Sequence, residues 1–156
     1  MHYKSTNAGA LLAGRFGAVE TDVTAGGAGD ATAVSGAYVD RQGLYSLKAL
    51  MPFSATLAEG ETLSISATFQ TATDGAGAGS ADLSLSLPAT VVATGPSGGG
   101  TVTGVAEADV SLAEADAFVR ATFTPDLSAA NTDTANIGLV YVLGGADFDP
   151  ISGSAI

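Results

Sequence analysis

The chain contains no cysteine and no tryptophan, and it has one histidine and only five lysine or arginine residues among 156. Without cysteine there are no disulfide bonds and no thiolate metal ligands, which excludes disulfide scaffolds and cysteine-based zinc modules. The single histidine, His2, lies in a predicted N-terminal arm and is the only imidazole available as a general base. These absences favour a structural or binding protein over an enzyme.

Positive charge is scarce, since five basic residues against sixteen acidic ones give a net charge of −11. Binding to phosphate backbones requires a basic surface that releases counterions, so nucleic acid is not an expected partner. No segment approaches the roughly 20 consecutive apolar residues of a membrane span. We therefore expect a soluble protein that binds neither nucleic acid nor membrane, and whose acidic excess favours a partner with a basic face.

Alternation of apolar and hydroxyl side chains is the dominant pattern in what remains. In residues 62–70, Leu63, Ile65, Ala67 and Phe69 fall on one face, and threonine, serine and glutamine occupy the other. A period of two residues is typical of a β-strand buried on one side. Similar segments are predicted at residues 17–24, 32–39, 44–53, 62–71, 81–94, 101–110, 118–124 and 135–143.

Glycine-rich turns separate these segments, as in residues 74–79 and 95–100. Recurrent short strands predict an all-β fold, an antiparallel β-sandwich of jelly-roll or immunoglobulin type with about eight strands. We expect an N-terminal arm at residues 1–16, the sandwich at 17–150 and a C-terminal tail at 151–156. The predicted core consists of Leu47, Ala49, Met51, Leu63, Ile65, Phe69, Leu83, Leu85, Val119, Phe123, Ile137, Leu139 and Tyr141.

Helix is predicted only as one or two short turns. Ser111 and Glu114 have the spacing of a capping box, which predicts a turn that runs to Asp116. Pro125 is preorganised for the first position of a helix, so a second turn is predicted from there to Asn131. Pro88 interrupts an apolar strand and cannot donate to a ladder, which predicts an edge position, a bulge or a break into two strands, with a kink there.

Catalytic and metal-binding motifs are weak. Residues 95–99 match the G-x-S-x-G pattern of serine hydrolases around Ser97, but glycine and a strand follow where that elbow requires a helix. Phosphate-binding loops need a lysine after their glycines, and none is present there. Asp147 and Asp149, or Asp74 with Asp82, offer oxygen ligands for calcium without the spacing of an EF-hand. We therefore predict no enzyme activity, no cofactor and no metal.

Rare cationic and aromatic residues are the candidates for contacts with other proteins. Arg120 lies on the polar face of a predicted strand, where it makes either a cross-strand ion pair or a contact with another subunit. The arm is aromatic and basic, unlike the acidic body, and such a segment can order on a neighbouring protein. The candidate interface residues are His2, Tyr3, Lys4, Arg15, Phe16, Arg41, Tyr45 and Arg120.

Two blocks carry a family resemblance. Residues 39–46, with the sequence VDRQGLYS, and residues 118–125, with the sequence FVRATFTP, resemble small β-rich structural proteins encoded among the head genes of tailed phages. The closing residues 143–147, LGGAD, are also similar to that group. The resemblance covers residues 34–150 and departs from the expected pattern at Leu44, where an aromatic residue would stand beside the glycine.

The resemblance implies a head decoration, or cement, protein. Such proteins are β-sandwiches, often trimers, that coat the assembled shell and fasten neighbouring major capsid subunits. It therefore implies a virion location on the outer surface of the capsid, the major capsid protein as partner, and self-association as a homotrimer. In this role either the N-terminal arm or the region of Arg41 and Tyr45 is expected to contact the capsid. The alternatives are a tail or head-to-tail connector protein and a carbohydrate-binding or adhesin module.

Overall fold

The computed structural model describes residues 11–128 and 132–145, and this part of the chain is almost entirely β-structure. It holds two packed antiparallel sheets and no α-helix, which confirms the predicted all-β sandwich. None of its segments is a helix able to cross a membrane. The nine strands are β1 (Ala13–Thr24), β2 (Val34–Ser35), β3 (Val39–Asp40), β4 (Ser46–Leu57), β5 (Thr62–Ala72), β6 (Ala81–Thr94), β7 (Gly100–Ser111), β8 (Phe118–Leu127) and β9 (Thr134–Gly144).

The strand order identifies the type of sandwich. Sheet A has the order β1-β9-β4-β7, and sheet B has the order β2-β8-β5-β6 with β3 also paired to β8. Once β2 and β3 are counted as one interrupted strand, two four-stranded sheets face each other. Neighbouring strands are mostly far apart in sequence, as in a jelly roll built from two Greek keys. The immunoglobulin fold, which the sequence left open as an alternative, distributes its strands differently between the two sheets.

The core lies between the inner faces of the two sheets. Tyr141, Phe69, Phe123 and Met51 are the largest fully buried side chains. The predicted core is confirmed except at two positions in β6, since Leu83 is only half-buried and Leu85 is 45% exposed. Both leucines line an open cleft between the edge strands β6 and β7. Alternation placed them on the inner side of β6, but β6 lies at the margin of the sandwich, where that side reaches solvent.

Neither predicted helical turn is present as a helix. Strand β7 continues through Ser111, and a single turn follows, in which the amide of Ala115 donates to the carbonyl of Leu112 at 3.1 Å. Pro125 lies inside β8, opposite Ile65 of β5. Pairing with β5 along the whole of β8 overrides the local preference of proline for a helix start. The predicted end of that turn, Asn131, lies outside the described residues.

Pro88 occupies an edge strand, as predicted. Strand β6 is continuous from Ala81 to Thr94, but its register with β5 shifts between the pairs Ile65–Thr90 and Ala67–Leu87. The extra residue of this β-bulge lies at Pro88–Ala89, where proline removes a ladder donor. The hydroxyl of Thr90 donates to the carbonyl of Pro88 at 2.8 Å. Of the predicted alternatives, the edge position and the bulge are confirmed, whereas β6 is not broken into two strands.

The predicted strand at residues 32–39 is instead two short strands, which raises the count from about eight to nine. Ser35 pairs with Thr122, and Val39 pairs with Val119. Between them the amide of Gly36 still donates to the carbonyl of Ala121 at 2.9 Å, but residues 36–38 do not continue the strand. A side chain from sheet A enters this gap. At the other end of the sandwich, β1 begins at Ala13, so residues 13–16 of the predicted arm form the start of the first strand.

Candidate interaction surface

The outer face of sheet A is unusually apolar for a surface that faces solvent. Phe16, Val19 and Val105 are 68%, 57% and 53% exposed. The register places Phe16 beside Val140 and Val140 beside Leu50, so one apolar row crosses β1, β9 and β4. In the next row Val19 pairs with Gly138, and Pro52 pairs with Val105. We call this surface the apolar face; it consists of Phe16, Val19, Leu50, Pro52, Val105 and Val140.

Its two central strands carry almost no charge. Strands β4 and β9 contain no acidic residue, and Lys48 is their only cation. The Nζ atom of Lys48 lies 2.9 Å from carboxylate oxygens of both Glu107 and Asp109 on β7. Hydrogen bonds to Asp109 and then to Glu107 raise the pKa of Lys48. In this exposed cluster, the positive charge of Lys48 offsets one of the two negative charges at the margin of the apolar face.

Tyr45, a predicted interface residue, lies at one end of sheet A. It is partly exposed and lines a depression of about 520 Å³ together with Leu12, Lys48 and Val142. The amide of Tyr45 donates to the carbonyl of Gly144 at 3.1 Å, and its carbonyl accepts from Leu112 at 2.8 Å. Backbone hydrogen bonds therefore hold the Tyr45 main chain at this end of sheet A, beside the depression.

Arg41, a predicted interface residue, is hydrogen-bonded within the fold. Its Nε donates to the carbonyl of Asp116 at 2.7 Å, and one terminal nitrogen donates to the carbonyl of Ala115. Its own amide donates to the carbonyl of Ala117 at 2.9 Å. These bonds tie the β3–β4 loop to the segment that connects β7 with β8. The guanidinium of Arg41 therefore has a structural role in linking these two segments.

Arg120 makes no ion pair with any residue of the described ranges, which overturns the predicted cross-strand salt bridge. Its Nε and one terminal nitrogen donate to the side-chain oxygen of Gln70 at 2.9 and 2.7 Å. The amide nitrogen of Gln70 in turn donates to Asp82 at 2.8 Å. The guanidinium also stacks 4.5 Å from the ring centre of Tyr38. Gln70 therefore connects Arg120 to Asp82 through hydrogen bonds on the outer face of sheet B.

The remaining predicted interface residues divide into two groups. Arg15 and Phe16 belong to β1, where Phe16 contributes to the apolar face and Arg15 donates to the carbonyl of Gly14 at 2.9 Å. His2, Tyr3 and Lys4 lie outside the described residues. Sequence reasoning missed the rest of the apolar face, although residues 49–53 of β4 are apolar at every position. Such a run indicates a strand that is covered on both faces.

Sheet B presents a different outer face, which is rich in hydroxyl groups. Its solvent side in β5 consists of Thr62, Ser64, Ser66, Thr68 and Gln70, and these residues alternate with the buried core. The register sets Ser66 beside Thr124 and Thr68 beside Thr122. The two faces of the sandwich therefore differ in chemistry, and only the outer face of sheet A offers a broad apolar area.

Ser97 and Asp74, which were considered for catalysis and metal binding, make hydrogen bonds within loops. Ser97 donates to Glu59 at 3.2 Å in the connection from β6 to β7. One oxygen of Asp74 accepts the amides of Ala76 and Ala78, both at 2.9 Å. Within residues 11–128 and 132–145, no group of three histidine, aspartate or glutamate residues is arranged to hold a metal ion. Asp147 and Asp149 lie outside the described residues.

No protein-family model and no curated protein matches this chain. Among solved structures, the chain is similar to a structure of the Gx strain of infectious bursal disease virus, with 11% identity, a TM-score of 0.43, and coverage of 88% of this chain and 33% of that one. A mutant VP2 protein of the same virus, from derived T=1 particles, has 14% identity, a TM-score of 0.38, and coverage of 85% and 32%. The chain spans about a third of the length of either.

Proposed function

We propose that this protein is a non-enzymatic structural protein of a virion, a head decoration protein that attaches to the outside of the shell and bridges major capsid subunits. The observation that carries the proposal is the apolar face, with Phe16, Val19 and Val105 more than half exposed on the outer side of sheet A. Contiguous exposed apolar surface of this kind is typical of protein-binding sites. The family resemblance of residues 34–150 supplies the class of partner.

The dimensions of sheet A suit a stable protein contact. Four strands about 4.8 Å apart, over about ten residues of 3.3 Å each, give a face of roughly 600 Å². A specific interface of standard size buries about 800 Å² on each partner, so this sheet and its rim are sufficient. A jelly roll is also found among viral capsid domains and lectins, which is compatible with the proposal as a fold-level analogy.

The distribution of charge supports an outward orientation for sheet B. With the apolar face against the shell, the hydroxyl-rich face and the acidic loops point to solvent. A net charge of −11 keeps particles that are coated with many copies apart from one another. Each copy needs only modest affinity, because simultaneous contacts with neighbouring capsid subunits multiply the effect.

Copy number in purified particles from the source is the first test. Quantitative mass spectrometry compares the amount of this chain with that of the major shell protein. Near-stoichiometric copies are the expected result for a protein that coats the shell. A few copies per particle would favour the connector or tail alternative, and complete absence from particles would overturn the virion role and favour the adhesin alternative.

A pair of matched variants tests the surface. Val19 on the apolar face and Val91 on the outer face of sheet B are 57% and 56% exposed, and both lie in edge strands. Val19→Asp is expected to abolish co-sedimentation with shells that lack the protein, whereas Val91→Asp is expected to bind as the native chain does. Equal binding by the two variants would remove the apolar face from the interface.

A further inference from the structure

The two sheets have four lateral edges, and three of them are interrupted. Strand β1 has register shifts between Phe16 and Ala18 and between Glu20 and Val23, with Asp22 at a positive φ of 58°. Strand β6 carries three register shifts and Pro88. The opposite edge of sheet B consists of β2 and β3, two residues each. Bulges, proline and very short edge strands are the devices that prevent edge-to-edge pairing of sheets.

The fourth edge, β7, has no such interruption. It pairs with β4 through twelve consecutive residue pairs, from Gly100 to Ser111, without a register shift. Within the described residues no strand pairs with its other side. Every second residue of an antiparallel edge strand directs its N–H and C=O groups outward, so β7 offers an uninterrupted row of donors and acceptors that no described strand uses.

We propose that β7 pairs antiparallel with β7 of a second copy around a two-fold axis at Val105. The two copies of sheet A then form one continuous eight-stranded sheet. An isologous contact of this kind is closed and does not propagate into fibres. In this proposal, the molecule that pairs with the β7 edge is a second copy of this chain.

The pattern of side chains along β7 selects this register. With Val105 on the axis, the two exposed valines meet, Glu107 faces Thr103, and Asp109 faces Thr101 of the other copy. Cross-strand neighbours of this kind lie about 5 Å apart, so each carboxylate gains a hydroxyl partner. An axis at Glu107 would oppose two carboxylates, and an axis at Ala106 would set Val105 against Glu107.

The acidic residues of β7 do not block this pairing. Lys48 of the neighbouring strand lies 2.9 Å from both Glu107 and Asp109, and it offsets one of their two charges. The paired sheets also place two apolar faces side by side on one surface. If the proposed attachment to shells is correct, one pair would span two capsid subunits. The pairing itself does not depend on that attachment.

A chain without cysteine permits a direct test by cross-linking in solution, without shells. Val105→Cys places the two thiols on the axis, where paired residues have Cα atoms about 4.5–5.5 Å apart, within the range of a disulfide. Thr101→Cys is the control, because eight intervening steps of about 3.4 Å separate its two copies by roughly 27 Å. Under mild oxidation Val105→Cys is expected to form a covalent dimer as the main species, and Thr101→Cys is expected to remain monomeric.

Sedimentation equilibrium provides an independent readout. The native chain is expected at twice its mass of 15.2 kDa, and Val105→Asp, which would oppose two carboxylates on the axis, is expected at the monomer mass. Val91→Asp and Val19→Asp are expected to remain dimeric. Equal cross-linking of the two cysteine variants, or a native chain that sediments as a monomer or as the trimer implied by the family resemblance, would overturn the proposal. Loss of shell binding by a variant that stays dimeric concerns only the attachment.

Discussion

The hydroxyl oxygen of Tyr141 lies 3.0 Å from the backbone nitrogen of Ala121 and accepts its hydrogen bond. Tyr141 belongs to β9 of sheet A, whereas Ala121 belongs to β8 of sheet B, so the bond crosses the core. It lies in the gap between β2 and β3, where residues 36–38 do not form a strand. The tyrosine hydroxyl therefore replaces a missing strand partner at a buried amide.

Tyr141→Phe is expected to lower the free energy of unfolding by about 1–3 kcal/mol, because it leaves the buried amide of Ala121 without an acceptor. The measurement is equilibrium unfolding in urea. Tyr38→Phe is the matched control, since the Tyr38 hydroxyl is buried without a hydrogen bond to any described residue. The control is expected to be neutral or slightly stabilising. A loss of equal size in both variants would contradict the role given to Tyr141.

Gly36 leaves the space that the Tyr141 hydroxyl occupies. A Cβ atom at Gly36 would overlap that oxygen and approach Cδ2 of Leu139 and the carbonyl oxygen of Ala121. Gly36→Ala is expected to destabilise the protein by about 1–3 kcal/mol, as overpacking of a core does. Tyr141→Phe in the same chain removes the closest atom, so the double variant is expected to be more stable than the sum of the two losses predicts. Simple additivity in urea unfolding would show that the two positions are independent.

Alkaline pH is expected to destabilise the native chain through the same tyrosine. Burial raises the pKa of Tyr141 above its ordinary value of 10.0, so the folded protein retains a proton that the unfolded chain releases. The contribution to stability is complete below about pH 10 and declines as the pH rises from there toward the higher pKa of the folded state. Urea unfolding between pH 8 and 11 measures it. Tyr141→Phe is expected to have a shallower decline, and an unchanged slope would exclude Tyr141 as its cause.

Lys48 contributes a decline in the same direction, because Asp109 and Glu107 raise its pKa. Its cluster is exposed, however, and exposed ion pairs contribute little to stability. Lys48→Met therefore serves as the second arm of the pH series. It is expected to leave most of the alkaline decline in place, and Tyr141→Phe is expected to remove more of it.

Sequence patterns predicted those strands whose structure follows from the alternation of apolar and polar residues within the strand itself. The segment at residues 62–71 became β5 with almost the predicted bounds, because its alternation is consistent with a single buried face. The split of residues 32–39 was not predictable in this way. It depends on Tyr141, more than a hundred residues away, whose hydroxyl enters the gap. The exposure of Leu85 was not predictable for a similar reason, because it depends on the position of β6 at the margin of sheet B.

The candidate surface shows the same division. Phe16 attracts attention in the sequence as a rare aromatic residue near the N-terminus. Val19 and Val105 do not, since isolated valines are common in strands of any kind. They become one surface with Phe16 only when β1, β9, β4 and β7 are placed side by side. The interaction of Arg120 with Gln70 likewise required the register between β5 and β8.

Arg41→Ala is expected to cost about 1.5–3 kcal/mol of unfolding free energy, because hydrogen bonds from a charged donor to the carbonyls of Ala115 and Asp116 are lost. Arg41→Lys keeps the charge without the planar fork, so it is expected to recover only part of the loss. Urea unfolding gives the stability, and co-sedimentation with shells gives the attachment. The structural role predicts that folded Arg41→Lys binds shells as the native chain does. Loss of binding without loss of stability would instead identify Arg41 as a capsid contact.

The contrast between Phe123 and Leu85 tests the position of the core. Phe123 of β8 is fully buried between the sheets, whereas Leu85 of β6 faces the open cleft. Phe123→Ala is expected to destabilise the protein by about 3–5 kcal/mol, the usual loss for a buried aromatic residue. Leu85→Ala is expected to cost less than about 1 kcal/mol, because 45% of the surface of Leu85 is already exposed to water. A large loss for Leu85→Ala would mean that the cleft between β6 and β7 is closed in solution, and that β6 completes the core more fully than its exposure indicates.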